Sequence, residues 1–248
     1  MTTSPASVEW RQGACRGHVS AGTVDVWRAR LDLPAQTRAR LHETLAPDER
    51  HRADRFCFER DRTRFIAGRG ILRSVLSRYL RQRPEYVAFS YNSYAKPELA
   101  GASRDSGLRF NVSHSAEMLL IAVASGHQVG VDVERLRDGV LDLAERVFSP
   151  REVVALRALA PSGQIEAFFR CWTCKEAYVK GRGQGLSIPL HEFDVSFGSP
   201  PTLLQTRHDP PEAAQWSMYD VTPGHGFIGT LAVRAREVAL RRWEWAPW

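Results

Sequence analysis

Hydrophobic and polar positions alternate from residue 23 to 33, where Val24 and Val26, with Trp27 beside them, read as a strand. Residues 36–45 switch to the 3.6-residue spacing of a helix, and Pro47-Asp48-Glu49-Arg50 opens another, with proline in the first turn and acids at the positive end of the dipole. A longer helix is predicted over 60–80, burying Phe65, Ile66, Ile71, Leu72, Val75 and Leu76, with Gly68 and Gly70 permitting close packing. Residues 87–91 read as a short strand, followed by a loop containing Lys96-Pro97. Two strands, 109–112 and 118–124, are expected to flank a turn at Ser113-His114-Ser115.

The second half opens on an acidic strand, 129–134. Residues 141–147 and 149–160 are predicted helical, the latter from the capping residue, proline and acid of Ser149-Pro150-Arg151-Glu152. A long helix over 164–180 stops at Gly181, where the glycine-rich loop 181–186 begins. Strands are expected over 190–197, 214–221 and 226–235, with Pro200-Pro201 and Pro210-Pro211 turning the chain between them. The first 20 residues are read as irregular, and the tail from Trp243 to Trp248, which matches no motif, is expected either to pack back on the fold or to meet a partner.

One pattern occurs twice. Val24-Asp25-Val26 with Arg28 and Arg30 matches Val131-Asp132-Val133 with Arg135 and Arg137, and Ala46-Pro47-Asp48-Glu49 echoes Ser149-Pro150-Arg151-Glu152. The offset of the first match, not of the second, aligns Arg69 and Arg73 with Glu176 and Lys180. The expectation is a duplicated unit, residues 1–126 and 127–248, with a cleft between the halves. Because Arg69 stands opposite Glu176, one metal site is expected rather than two; Asp25 is expected to be structural or solvated.

Composition narrows this further. At 248 residues the chain has ample core for one large domain or two small ones, and 43% hydrophobic with 25% charged residues describes an ordinary globular protein. The most apolar run, residues 118–124, is too short to span a bilayer, and the N-terminus lacks the basic and apolar regions of a signal peptide. Four cysteines without a disulfide framework fit a reducing compartment, so a cytoplasmic protein is expected. Cys171 and Cys174 form a lone C-x-x-C inside the helical pattern, read as buried helix cysteines and not a zinc site. Residues 1–126 hold 20 basic against 13 acidic side chains, and residues 127–248 hold 14 against 15. The basic first half points to anionic partners without choosing among nucleic acid, a phosphorylated small molecule and an acidic protein.

Candidate chemistry concentrates in two stretches. Asp132 and Glu134 alternate with valines and project from one strand face, while Glu176 and Lys180 lie four apart on one helix face. Packed together, they would bring three carboxylates and an ammonium to one place, the donor set for Mg²⁺ holding a phosphate. On these residues alone, a solvated strand face and a solvated helix face is the simpler reading. The lysines shift the balance: only Lys96, Lys175 and Lys180 stand among 34 basic residues, two of them in the helix that carries Glu176. An ammonium is a compact point charge suited to a phosphate oxygen. Lys175 is expected to support the site by ion pairing, and Trp172 to belong to the core.

The order of motifs adds a resemblance. Tyr94-Ala95-Lys96-Pro97, Phe110-Asn111-Val112-Ser113-His114-Ser115, Val129-Gly130-Val131-Asp132-Val133-Glu134, Phe148-Ser149 with Glu152, then Trp172, Lys175-Glu176, Lys180 and Gly183-Gln184-Gly185-Leu186 closely resemble the Sfp-type 4′-phosphopantetheinyl transferases. Each motif alone is weak, whereas the ordered set across residues 47–190 is specific. The resemblance implies an α+β monomer of two similar α/β halves related by a pseudo-twofold axis, with coenzyme A between them. It implies transfer of the phosphopantetheine arm to a serine of an acyl or peptidyl carrier protein, with release of adenosine 3′,5′-bisphosphate. Asp132, Glu134 and Glu176 would hold Mg²⁺ and Lys180 the pyrophosphate. Lys96 and Arg52 would meet the 3′-phosphate, Pro97 would adjoin coenzyme A, Ser113 and His114 would contact phosphate, and Asn111 would shape their turn. Either Glu176 or a water oriented by Glu134 would accept the serine proton. Neither nucleic acid nor membrane is an expected partner. Two competing readings are a Mg²⁺-dependent nuclease, which leaves Lys96-Pro97 and the Ser113-His114 pair unexplained, and a coenzyme A-binding module without catalysis.

Overall fold

A computed structural model of the chain describes residues 9–12, 17–185 and 188–247. Leu186 of the glycine-rich loop, Cys15 and Trp248 lie outside the described residues, as does the start of the chain through Val8. In chain order the strands are β1 (Arg11–Gln12), β2 (Thr23–Arg30), β3 (Phe89–Tyr91), β4 (Pro97–Leu99), β5 (Leu108–Ser115), β6 (Met118–Ser125), β7 (Val129–Arg135), β8 (Phe193–Val195), β9 (Leu203–Thr206), β10 (Ser217–Asp220), β11 (Phe227–Val233) and β12 (Ala239–Glu244). The helices are α1 (Ala35–Glu43), α2 (Pro47–Asp54), α3 (Glu59–Leu80), α4 (Ala144–Val147), α5 (Pro150–Arg157) and α6 (Pro161–Arg182).

Two sheets lie back to back between two helices. The first has the order β1-β12-β2-β6-β5, the second β10-β11-β7. Alternation along β2 sends Trp27 and Ala29 to a core shared with Ile71, Leu72, Val75 and Leu76 of α3. Val24 and Val26 point the other way, meeting Val129, Val131 and Val133 of β7 and Leu231 and Val233 of β11. Each such fully buried aliphatic side chain contributes roughly 1.5–3 kcal/mol. The far face of the second sheet is covered by α6, whose Phe168, Phe169, Ala177 and Tyr178 join a third core with Ile228 and Ala232.

Contact between β7 and α6 requires glycine. A Cβ on Gly130 would stand 2.0 Å from the Ala177 carbonyl oxygen and 2.2 Å from the Gly181 nitrogen, so any larger residue there would push strand and helix apart. That close approach sets Asp132 directly over the last turns of α6.

Most predicted elements are present with modest shifts at their ends, and four differences are instructive. Ser113, His114 and Ser115 are not a turn but the last residues of β5; the hairpin turns at Ala116, whose φ is +52°. Pro97 begins the edge strand β4 and does not lie in a loop. Residues 190–197 divide into a 3₁₀ turn, Leu190–Glu192, and β8, while 141–147 divide into a 3₁₀ turn and α4. Residues 239–244 form a strand the sequence pattern does not announce, and the tail packs back: β12 runs parallel to β2, Trp243 stacks on Trp27, and the buried Trp245 donates to Ser74 Oγ at 3.2 Å. The second half of the chain therefore contributes a strand to the first sheet. Asp25 lies wholly buried inside that joint, accepting from Tyr79, Arg241 and Trp243. Cys171 and Cys174 are buried free thiols, and burial pushes Cys174 up to about 12. Among the described residues, no helix is long and apolar enough to cross a membrane.

Candidate active site

Among the described residues, the outer edge of β7 pairs with no strand; three side chains of β5 serve in place of a ladder. Asn111 Oδ1 accepts from the Val131 N–H at 2.9 Å, Ser113 Oγ from Val133 at 3.4 Å and Ser115 Oγ from Arg135 at 3.1 Å. Alternate residues of one strand thus satisfy alternate donors of the other, which fixes β7 in register beside β5. The same hydroxyls reach the acids: Ser113 donates to Asp132 Oδ1 at 2.8 Å and Ser115 to Glu134 Oε2 at 2.7 Å.

Asp132 is 3% exposed, and its Oδ1 also accepts the Lys180 ammonium at 2.6 Å, which lies 2.9 Å from Ser113 Oγ. Its second oxygen, Oδ2, is buried and has no partner among the described residues. An orphaned carboxylate oxygen costs desolvation energy and marks a place where a cation or donor belongs. Burial pushes the Asp132 carboxyl above its ordinary value, opposed by Lys180 and the Ser113 hydrogen bond and assisted by the charge of Glu134.

The side chain of Glu176, half-buried one helical turn before Lys180, makes no hydrogen bond or ion pair among the described residues. Burial, then the charges of Asp132 and Glu134, raise its carboxyl above the usual range, with Lys180 opposing. Glu134 is engaged by Ser115 and by Arg137 at 3.3 Å. The three acids therefore share one electrostatic field around one ammonium. Among the described residues, no three His, Cys, Asp or Glu side chains close a metal cage by themselves. Mg²⁺ is commonly held by one or two carboxylates, with substrate phosphates and water completing its shell. The hard oxygen donors and the orphaned Oδ2 suit such a cation.

On the other face of β5, Val112 and His114 look into a cleft of about 630 Å³ lined also by Arg52, Arg64, Arg69, Tyr91 and Pro97. The side chains of Arg52 and His114 have no ion pair or hydrogen bond among the described residues, whereas Arg64 is paired to Asp32 and Arg69 to Glu49. Arg52 lies over the Phe65 ring at 5.3 Å. Loss of hydration, then the charge of Lys180, hold His114 below its ordinary value, with Glu134 opposing and Arg64 adding to the depression. Cleft and acids are thus neighbours across β5.

The structure accordingly brings Asp132, Glu134, Glu176, Lys180 and Ser113 together, and Arg52, Pro97 and His114 together beside them. Asn111 orients β7. Lys96 is placed differently: its ammonium lies against main-chain carbonyls at the end of α6, 2.6 Å from that of Lys180, and not toward Arg52 and His114. Sequence reasoning missed Ser115, Arg64 and Arg69. The Asn-x-Ser-x-Ser alternation was the available signal for Ser115; the arginines were hidden in an arginine-rich helix. Lys175 is not in the site. It is fully buried and paired to Glu152 at 2.8 Å, the supporting ion pair expected of it.

Residues 128–233 match the model of the 4′-phosphopantetheinyl transferase superfamily, and residues 34–126 match that of the 4′-phosphopantetheinyl transferase N-terminal region. The 4′-phosphopantetheinyl transferase HetI of Nostoc sp. is 42% identical over 213 residues, covering 85% of this chain and 87% of that protein. The 4′-phosphopantetheinyl transferase Sfp of Bacillus subtilis is 30% identical over 196 residues, 78% of this chain and 84% of that one.

Proposed function

The chain belongs to the 4′-phosphopantetheinyl transferase superfamily, and from that membership we propose how its two adjoining surfaces divide the reaction. Coenzyme A occupies the cleft beside β5. Its phosphopantetheine arm passes to a serine of an apo acyl or peptidyl carrier protein, and adenosine 3′,5′-bisphosphate leaves. The observation that carries this reading is the position of Lys180, whose ammonium joins a buried carboxylate with one oxygen unpartnered among the described residues.

In this reading Lys180 binds the pyrophosphate and offsets charge that develops on the departing phosphate. Glu176, whose side chain has no hydrogen bond or ion pair among the described residues, accepts the serine proton as the hydroxyl oxygen attacks the β-phosphorus. The bond from that phosphorus to the bridging oxygen breaks, and the electron pair leaves on adenosine 3′,5′-bisphosphate. Asp132, through Oδ2, with Glu134 and Glu176 would hold Mg²⁺, which supplies charge neutralisation when bound. Arg52 and His114 contact the 3′-phosphate side of coenzyme A. Ser113 and Ser115 keep the acids aimed.

Acids and cleft come from opposite halves of one chain, which supports a monomer with two related halves as the working unit. Three described free cysteines support a reducing, cytoplasmic setting. The direct test is product analysis: incubation with coenzyme A, Mg²⁺ and an apo carrier should release adenosine 3′,5′-bisphosphate in one-to-one ratio with holo-carrier formed. Hydrolysis of coenzyme A without carrier modification would contradict the assignment.

A further inference from the structure

A helix ends with carbonyls that lack intrahelical donors, and its C-terminal end carries partial negative charge. α6 ends in the usual way on one side: Gly183, with φ of +72°, donates to the carbonyls of Val179 at 3.1 Å and Lys180 at 3.2 Å. A second set of donors arrives from the other half of the molecule. Lys96 Nζ stands 2.6 Å from the Lys180 carbonyl oxygen and 3.5 Å from those of Gly181 and Val129. Asn92 Nδ2 donates to the Gly183 carbonyl at 3.0 Å.

The turn that delivers these donors is itself braced. Asn92 Oδ1 accepts the N–H groups of Tyr94 at 2.9 Å and Lys96 at 3.0 Å, while the Asn92 N–H donates to the Lys96 carbonyl at 3.1 Å. Ala95 takes a left-handed φ of +61° to close it. The Lys96 ammonium therefore approaches α6 from a fixed loop, and burial lowers it to about 8. The residue it grips by the backbone, Lys180, is the one whose side chain reaches Asp132, and Glu176 lies one turn earlier.

We propose that Lys96 is a positioning residue: reaching across from the first half with Asn92, it caps α6 and holds Lys180 and Glu176 in register with Asp132. This rests on the transferase reading and replaces, for Lys96, the 3′-phosphate contact that the family resemblance implies. The two roles have opposite kinetic signatures. A phosphate ligand lost from the cleft weakens coenzyme A binding, whereas a helix set slightly out of place spoils the reacting geometry.

Lys96→Met keeps the aliphatic stem and removes the cap. Coenzyme A affinity is measured by titration calorimetry, and kcat with an apo carrier at saturating coenzyme A. The positioning role predicts a kcat lower by about tenfold to a hundredfold, with coenzyme A affinity within about threefold of the parent. Lys96→Arg, which retains donors for the carbonyls, should recover part of that kcat. Asn92→Asp, which keeps the turn's acceptor and removes the donor to Gly183, should shift kcat in the same direction and also spare affinity, so the proposal stays testable if Lys96→Met folds poorly. Loss of coenzyme A affinity with kcat preserved at saturation would overturn it, as would variants kinetically equal to the parent. A parent protein that modifies no apo carrier would overturn the transferase reading, and this one with it.

Discussion

Glu152 and Lys175 form an ion pair at 2.8 Å in the protein interior, and the arrangement recurs in the first half with Glu49 and Arg73 at 2.7 Å. Each glutamate is the third residue of a proline-headed helix and accepts the N–H preceding that helix, from Ser149 at 2.8 Å and from Ala46 at 2.9 Å. Each cation lies on the following 22-residue helix and also donates to two carbonyls beyond it. Those are Leu190 and Phe193 for Lys175, and Pro84 and Val87 for Arg73. The faint echo between Pro47 and Pro150 in the sequence is thus a repeated clamp, fastening a short helix and a following strand to α3 in one half and α6 in the other.

Removing one partner of such a buried pair strands a charge. Lys175→Met should lower stability by roughly 3–5 kcal/mol, read from urea unfolding, and adding Glu152→Gln should restore part of the loss. A single-mutant cost under about 1 kcal/mol would show the clamp to be dispensable.

Acid should weaken the first-half clamp. Burial pushes the Glu49 carboxyl up, but the Arg73 hydrogen bond, the charge of Arg69 and the Ala46 N–H outweigh it, leaving the group below its ordinary 4.5. A depressed folded-state value contributes stability above the unfolded value, and that contribution disappears as pH falls through the folded value. Urea midpoints followed from pH 6 down to pH 3 should therefore fall more steeply for the parent than for Glu49→Gln. Parallel curves would remove Glu49 from the account of acid lability.

Lys180→Met should lower kcat by about 10²–10³, the usual cost of losing a charge aimed at a developing oxyanion. Stopped reactions at saturating coenzyme A and carrier would read it. A change confined to KM would mean that Lys180 binds substrate and transition state alike.

Arg52→Ala should raise KM for coenzyme A by about tenfold, the order expected for one charge-assisted hydrogen bond. With dephospho-coenzyme A as substrate, the same substitution should have little further effect, because its partner is already gone. Equal losses with both substrates would place Arg52 elsewhere on the ligand.

Much of this site was legible because its residues obey local periodicities. Asp132 and Glu134 alternate on a strand, Glu176 and Lys180 are four apart on a helix, and packing β7 on α6 through Gly130 joins them. What was not legible depends on partners distant in sequence. Lys96 looked like a free phosphate ligand, because nothing near it announces the carbonyls of α6. Ser113 to Ser115 looked like a turn, because the real one relies on Ala116 at a positive φ in place of a glycine. The strand character of Ala239–Glu244 was masked by its charges, two of which, Arg241 and Glu244, are neutralised by Asp25 and Arg28 more than 200 residues away.

The central claim is that the carboxylates around Lys180 carry phosphopantetheine transfer. Intact mass of an apo carrier protein, after incubation with coenzyme A, Mg²⁺ and either the parent enzyme or Glu176→Gln, tests it most directly. The account predicts a phosphopantetheine-sized gain with the parent that is lost on adding EDTA and almost lost in the variant. An undiminished gain with Glu176→Gln would contradict it, placing the proton acceptor, and with it the working site, elsewhere.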